Sequence, residues 1–551
     1  MSSYQLVVSF FQVTLPVHMN IQAMRPHELS RLVMSVLREQ RVLERSSSGG
    51  SVNYGLWKAI AVRTRGLVSE FGPSDLSTVV FGLGKSRIRD KELLTKAASE
   101  IFIPNLNTMT LNDISHVLSG FARVDVRNDI LFDLASREIA RKIHSNGSLA
   151  DIASIFSSFA RLNYTHPLLF EVLGKRAALV APQTNSSGME LSQIIHSLAI
   201  LGHKSDQRLL AIMASEICRK IDSMPVYAIA RVIDGYRKLG IRNQFLIEVS
   251  LDECFKRRHE FDPKSTSILM NAIGRLNCPK TQLIMEYFVS DLARRGMAKF
   301  DIPAIALTAN GIANHWTNRE QDDADLQTNI QKVFNLMGDR VSAIAGELTP
   351  RSIAIIVKAF GAVQARHGPL LYNIPKHVRS CIEEMSIPEI GMIMKGYAQL
   401  GIRNDDLLDC VPSRLVSLLE SSSSKPPESE STSTQDHVFA LTVRDHADQS
   451  GQSTRNVRGM VDTLEAYAIL MIGDGSVTRK LIREIDRNRH QLSITDTLLV
   501  IPKCLNTLCI RPPESLQHQI EEAANASGVL ITPGVLEELN ALRMNKHLVL
   551  E

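Results

Sequence analysis

One short unit recurs along almost the whole chain, and that recurrence restricts the fold more than any other feature. "GYRKLGIRNQFL" (Gly235–Leu246) and "GYAQLGIRNDDL" (Gly396–Leu407) share eight of twelve letters. Aligning outward from their glycines gives twelve anchors: Ser35, Gly82, Gly120, Ser158, Ser197, Gly235, Ala272, Asn310, Ala359, Gly396, Ala466 and Cys504. Eight of the eleven intervals fall within one residue of 38, which marks a repeat array rather than a motif used twice. The three longer intervals hold insertions: "ERSSSGGSVN" (44–53), an acidic stretch opening with "REQDDAD" (319–328) and the low-complexity "SSSSKPPESESTST" (421–434). The first and third are too polar to bury a face.

Within a unit the apolar spacing is helical. Leu111, Ile114, Leu118 and Phe121 form one stripe, and Ile130, Leu131, Leu134 and Ile139 a second. Ten residues before seven anchors stand Thr110, Ser148, Ser187, Asp262, Thr349, Ser386 and Asn456. Their side-chain oxygens suit an N-cap, where an orphan backbone N–H needs an acceptor. Pro26, Pro73, Pro263 and Pro350 stand one position later, at N1, where a missing N–H costs nothing. With aromatics at only 5%, helix–helix packing is favoured over a β-sandwich. A single hairpin cannot bury two stripes, so neighbours must stack. The expected fold is all-α, an α-solenoid of about twelve ~38-residue hairpins. Residues 1–24 read as an N-terminal extension and 25–419 as repeats one to ten. Residues 420–455 read as a Ser/Pro/Glu linker, and 456–551 as repeats eleven and twelve with a C-terminal helix.

Known chemistries leave little trace. "GLGKS" (Gly82–Ser86) lacks the earlier glycine of a phosphate loop, since position 79 is Val79. Sixteen histidines show no metal-ligand spacing, and seven scattered cysteines read as buried free thiols in a reducing compartment. No catalytic residue, metal or small-molecule cofactor is expected, and the chain reads as a non-enzyme. No apolar run is long enough to span a membrane. The first 27 residues lack acids, as organelle transit peptides do, yet contain one Arg where those are Arg-rich, so the targeting signal is ambiguous.

The repeat columns carry the functional signal. Three residues after the anchors lie Arg38, Lys85, Arg123, Arg161, Ile200, Lys238 and Arg275, six cations in seven copies, and none follows in the last five. Seven residues after the anchors, Arg89, Arg127, Lys204, Arg242, Arg366, Arg403 and Arg511 make a second partial column. Residues 420–551 carry 13 basic and 18 acidic residues, leaving 49 basic and 40 acidic in residues 1–419. A ladder of cations suits a phosphate backbone, and Arg38, Lys85, Arg89, Arg123, Arg127, Arg161, Lys204, Lys238, Arg242 and Arg275 are the candidate RNA contacts. Both columns lie near the end of the first helix, where a cation also offsets the helix dipole, so a purely local role competes with this one.

Units such as "LNDISHVLSGFARVDVRNDILFDLASREIARKI" and "MELSQIIHSLAILGHKSDQRLLAIMASEI" resemble the octotricopeptide and heptatricopeptide repeats, relatives of the RAP-domain and FAST-kinase-like proteins. The resemblance covers about residues 25–540. It implies a mitochondrial (alternatively plastid) RNA-binding protein, a structural or assembly component of a mitochondrial ribosome or a related RNA–protein particle. Its partners would be ribosomal RNA or an organellar transcript and other proteins of the assembly. Many relatives end in a RAP domain, whereas residues 504–551 continue as a helical copy and a tail, so RNA cleavage is not implied. A protein-interaction scaffold of a mitochondrial complex, without RNA contact, is the alternative. An RNA-processing enzyme is a distant third.

Overall fold

The computed structural model describes residues 21–45, 53–183, 188–203, 207–241, 243–276, 278–318, 324–422, 451–472, 475–526 and 541. Among these residues there is no strand, and the helices follow the repeat. The first four hairpins are α1 (Pro26–Arg45) with α2 (Tyr54–Gly66), α3 (Pro73–Lys85) with α4 (Lys91–Ala97), α5 (Leu111–Arg123) with α6 (Asp129–Asn146), and α7 (Leu149–Arg161) with α8 (Pro167–Val180). The next four are α9 (Met189–Leu201) with α10 (Gln207–Lys220), α11 (Val226–Lys238) with α12 (Gln244–Lys256), α13 (Pro263–Ile273) with α14 (Pro279–Arg295), and α15 (Ile302–Thr317) with α16 (Ala324–Ala343). The last four are α17 (Pro350–Ala362) with α18 (Gly368–Cys381), α19 (Ile387–Gln399) with α20 (Asp405–Ser422), α21 (Gly451–Ile469) with α22 (Gly475–Arg487), and α23 (Ile501–Thr507) with α24 (Glu514–Ala526). Odd-numbered helices open a hairpin and even-numbered ones close it.

The chain forms two compact units, residues 1–186 with 204–213 and residues 187–203 with 214–551. In the first unit α1, α3, α5 and α7 pack in sequence as one layer, and α2 on α4 and α6 on α8 build the other. In the second unit the odd helices from α9 to α23 pack in sequence, and the even helices from α12 to α22 do the same. Each unit is thus a two-layered stack of hairpins, the expected solenoid architecture. Residues 423–450 fall outside the described ones, yet α21 packs on α19 and α22 on α20 as adjacent hairpins do elsewhere. The insertion leaves the stack unbroken. Helix α20 reaches Ser422 and α21 begins at Gly451, so both reach into the segment expected to be linker, and α16 begins inside the expected 319–328 loop.

The junction inside each hairpin explains the shared letters of the repeat. Five residues after nine of the anchors the backbone is left-handed: Arg87, Asp125, Asn163, Gly202, Gly240, Gln364, Gly401, Met471 and Cys509, with Gly240 at φ 68° and Gly401 at φ 66°. The next amide donates back to the carbonyl five residues earlier, as Ile241 does to Tyr236 and Ile402 to Tyr397, both at 3.0 Å. This is a Schellman ending, which satisfies the orphan carbonyls of the first helix. Two residues on, Asn243 caps α12 by accepting from the Leu246 amide at 3.0 Å, and Asn404 caps α20 through Leu407 at 3.2 Å. "LGIRN" is therefore helix end, left-handed turn and helix start in five residues.

Non-glycine residues hold that turn under strain in six copies. Met471 sits there at φ 51° with its side chain 68% exposed, so little packing opposes its removal. Met471→Gly is expected to stabilise the protein by about 0.5–1 kcal/mol, the net of relieved strain and lost chain entropy. Chemical denaturation of the two proteins would show it as a higher midpoint at unchanged m-value.

The N-terminal signals largely hold. Thr110, Ser148, Asp262, Thr349 and Ser386 each form a capping box, and Pro26, Pro73, Pro263 and Pro350 each open their helix. Asn456 does not cap, because α21 starts five residues before it, and Ser187 lies outside the described residues. The eighth anchor shifts by one. A Cβ on Gly120 would lie 2.6 Å from the Val80 carbonyl oxygen, and one on Gly396 would lie 2.5 Å from that of Val357, each two residues before the preceding anchor. Gly311 meets the Met270 carbonyl in the same way at 2.4 Å, so Gly311 is the eighth anchor rather than Asn310. The shift also brings Asp301 into the cap position, where it accepts from the Ala304 amide at 2.9 Å.

Candidate nucleic-acid interface

In each unit the first helices turn one side, the open face, away from the second-helix layer. At about 100° per residue, positions −8, −4, −1 and +3 from the anchor share an arc of about 60°. Positions −2 and +1 point the opposite way, as Phe156 and Phe159 of α7 do when they meet Phe170 of α8 at ring-centroid distances of 5.5 and 5.6 Å. In α5 the pattern is plain: residues 111–123 are buried except Asn112, His116 and Arg123. These positions hold most of the accessible residues of the first helices in each unit, although some of them in the second unit, Ile200, Asp234, Lys238 and Leu307 among them, are buried.

In the first unit that face reads Arg31, Met34 and Arg38 on α1, then Ser74, Thr78, Phe81 and Lys85 on α3. It continues with Asn112, His116, Ser119 and Arg123 on α5, and with Ala150, Ser154, Ser157 and Arg161 on α7. Five of these are cations and none is a carboxylate. Arg31, Met34 and Arg38 line a shallow hollow with Thr78. Beside it Phe81 stacks on His116 at 4.4 Å, and the Arg123 guanidinium lies 6.0 Å from the Phe81 ring while donating to Ser119 Oγ at 3.1 Å. Burial, and next the Arg87 charge, work against the charge on Arg123. The face thus offers cations and an aromatic platform together, the pair of features that single-stranded nucleic acid uses.

The candidate cations separate into three groups. Arg38 is exposed, Lys85, Arg123 and Arg161 are half-buried at the ends of α3, α5 and α7, and Arg275 is exposed just beyond α13. All five stand on the open face. Lys238 does not join them. It is 1% exposed and its ammonium lies 2.9 Å from Asp234, so the expected contact is corrected to a buried ion pair within α11. The second column is largely structural. Arg89 donates to the Asp125 carbonyl at 3.4 Å, Arg127 pairs with Asp129 at 2.6 Å and stacks 5.2 Å from the Tyr164 ring, and Arg366 donates to the Leu400 carbonyl at 2.8 Å. These side chains brace successive junctions. Lys204 and Arg242 lie outside the described residues.

In the second unit the open face holds cations that the column reading misses. Arg231, Lys264, Arg351, Lys358 and Lys395 occupy positions −4, −8, −8, −1 and −1 of α11, α13, α17, α17 and α19. An angular reading finds them, because these offsets share one direction although they share no column. The cations give way to carboxylates at α21, where Asp462 and Glu465 take Lys395 at 2.9 and 2.7 Å. Arg458 pairs with Asp462 and with Asp496. Among the described residues no group of His, Cys, Asp and Glu is arranged to hold a metal, and no helix is long and apolar enough to cross a membrane. Four of the seven free cysteines are half-buried and Cys509 is exposed, so only Cys254 and Cys504 meet the expectation of buried thiols.

Residues 41–281 match the family described as RNA-editing substrate-binding complex 6 protein, somewhat under half of the chain. The matched segment ends just beyond Arg275, where the first basic column also stops. No curated protein matches. Among solved structures, a chain of the full-length AP-3 complex in an intermediate open conformation, itself a homology model, is similar at 12% identity and a TM-score of 0.31. The alignment covers 95% of this chain and 93% of that one, and the low score carries no argument. The finer affiliation with octotricopeptide and heptatricopeptide relatives rests on the sequence likeness alone.

Proposed function

We propose that the chain is a non-catalytic, RNA-associated helical-repeat subunit of an RNA–protein assembly, working in the mitochondrion. The observation that carries this reading is the open face of α1, α3, α5 and α7, which bears five cations and no carboxylate. A face of one sign attracts a polyanion through counterion release without specifying its sequence. The family match lends support from an independent direction, since the named family belongs to an RNA-editing substrate-binding complex. That match favours an RNA-editing or related processing assembly over the ribosomal particle suggested by the repeats' resemblance. The scaffold alternative draws on a specific finding too: Lys238, Arg127 and Arg366 are satisfied within the protein.

A salt titration of RNA binding separates the two. The full chain is expected to bind a labelled oligouridylate with affinity that falls steeply as salt rises. Charge reversal at Arg38, Arg123 and Arg161 together is expected to weaken binding at least about tenfold at low salt and to flatten the slope by about two. Binding and slope that survive the triple reversal would leave the scaffold reading in place.

A further inference from the structure

In the second unit, single carboxylates on the first helices are shared between cations. Asp234 lies 2.9 Å from both Lys238 and Arg237. Asp462 lies 2.9 Å from Lys395 and 3.2 Å from Arg458. Two half-buried cations stand nearby, Arg231 beside the first carboxylate and Lys358 near the second, and neither makes a hydrogen bond or ion pair among the described residues. A half-buried ammonium with no partner is costly to keep charged.

Lys358 has the richer surroundings. Burial pushes its pKa below the ordinary lysine value; Asp462 offsets this in part, and Arg275, Lys395 and Arg458 depress it further. Arg275 lies beyond α13 and Lys358 on α17, two first helices apart in the layer, so cations from separate hairpins converge on one stretch of face. Between them runs α15, where the side-chain amide nitrogen of Asn314 is buried with no hydrogen-bond partner among the described residues. The repeat register sets Asn314, at position +3, beside Lys358, at position −1 of the next helix. An unpaired donor and an unpaired cation thus lie near the Arg275 guanidinium, and an anion with several oxygens satisfies the first two within the field of the third.

We propose that Lys358, with Arg275 and Asn314, forms an anion site on the open face of the second unit that takes a backbone phosphate of RNA. The site lies mostly outside the family-matched segment and extends the RNA path beyond the first basic column. Asp462 and Glu465 then end the path, because they occupy Lys395 as a phosphate would. The proposal rests on the RNA-associated reading above.

The test compares the full chain with Lys358→Met and Lys358→Arg, measuring affinity for labelled oligouridylate across salt, affinity for poly-glutamate, and Tm. Lys358→Met is expected to lose about five- to tenfold in RNA affinity and to reduce the salt slope by about 0.7, one single-strand phosphate contact. Its Tm is expected to rise, because an uncompensated charge leaves a half-buried position. Lys358→Arg is expected to keep most of the affinity. Unchanged RNA affinity and slope in Lys358→Met would overturn this site while leaving the RNA-associated reading intact. Loss confined to poly-glutamate would assign the site to an acidic protein segment and overturn it as well. Weaker RNA binding together with a lower Tm would mark Lys358 as a structural residue and overturn the site too. A wild-type chain that fails to bind oligouridylate would overturn both readings.

Discussion

Gly311→Ala is expected to destabilise the second unit by about 3 kcal/mol, the upper range for overpacking, although it adds one methyl group to a helix interior where alanine is intrinsically preferred. The methyl carbon would lie 2.4 Å from the Met270 carbonyl oxygen, 2.5 Å from its carbon and 2.8 Å from the Asn271 nitrogen. All three are backbone atoms, so no rotamer change relieves the clash and α15 must move away from α13. That movement also strains the reciprocal contact, because Gly274 faces the Gly311 carbonyl with only 2.2 Å available to a Cβ. It would further break the hydrogen bond from Asn310 Nδ2 to Asn271 Oδ1, now 2.8 Å. Gly346→Ala is the matched control: nothing lies within 4 Å of its Cβ position, and a change within about 0.5 kcal/mol is expected. Urea unfolding of the three proteins checks both statements. A Gly311→Ala midpoint equal to that of wild type would show that the layer yields more easily than its backbone contacts imply.

The same close approach shows why the repeat was legible and why its register slipped once. Small anchors such as Gly120, Gly235 and Gly396 recur because neighbouring first helices touch there, and caps and N1 prolines recur because the orphan amides of a helix start need local partners. Both are short-range demands that leave a mark at a fixed offset. In the eighth repeat "TANGIAN" offers Asn310 and Gly311 side by side, and only the backbone contact to Met270 distinguishes them. The candidate face is less legible for a geometric reason. A column is like residues at one offset, whereas the face is an arc shared by four offsets. Arg231 and Lys358 therefore stood in no column. Lys358 stands near Asp462, over a hundred residues later, which Lys395 and Arg458 already share. No local pattern encodes that. The second column is legible in the sequence, and the structure gives Arg89, Arg127 and Arg366 a local role in it, each reaching the next junction.

Lys238 was misread for the opposite reason, and the consequence is the second large effect. Its partner was visible one helical turn earlier, since Asp234 and Lys238 stand at i and i+4. What the spacing does not show is depth: Asp234 is 1% exposed and Lys238 1%. Arg237 also binds Asp234, and Arg231 stands one turn before it with no partner of its own among the described residues. Asp234→Asn is therefore expected to cost about 3–5 kcal/mol, because it removes the buried carboxylate that Lys238 and Arg237 share. Lys238→Met should cost far less, since methionine fills a similar volume without bringing a charge, and Arg237 still compensates Asp234. The asymmetry is the discriminating result. If Lys238 were an RNA ligand, Lys238→Met would weaken oligouridylate binding and leave Tm unchanged. As a buried counter-ion it should leave binding and salt slope as they are, while Asp234→Asn lowers Tm sharply. Equal destabilisation by the two substitutions would instead mean that the pair contributes as a bonded unit.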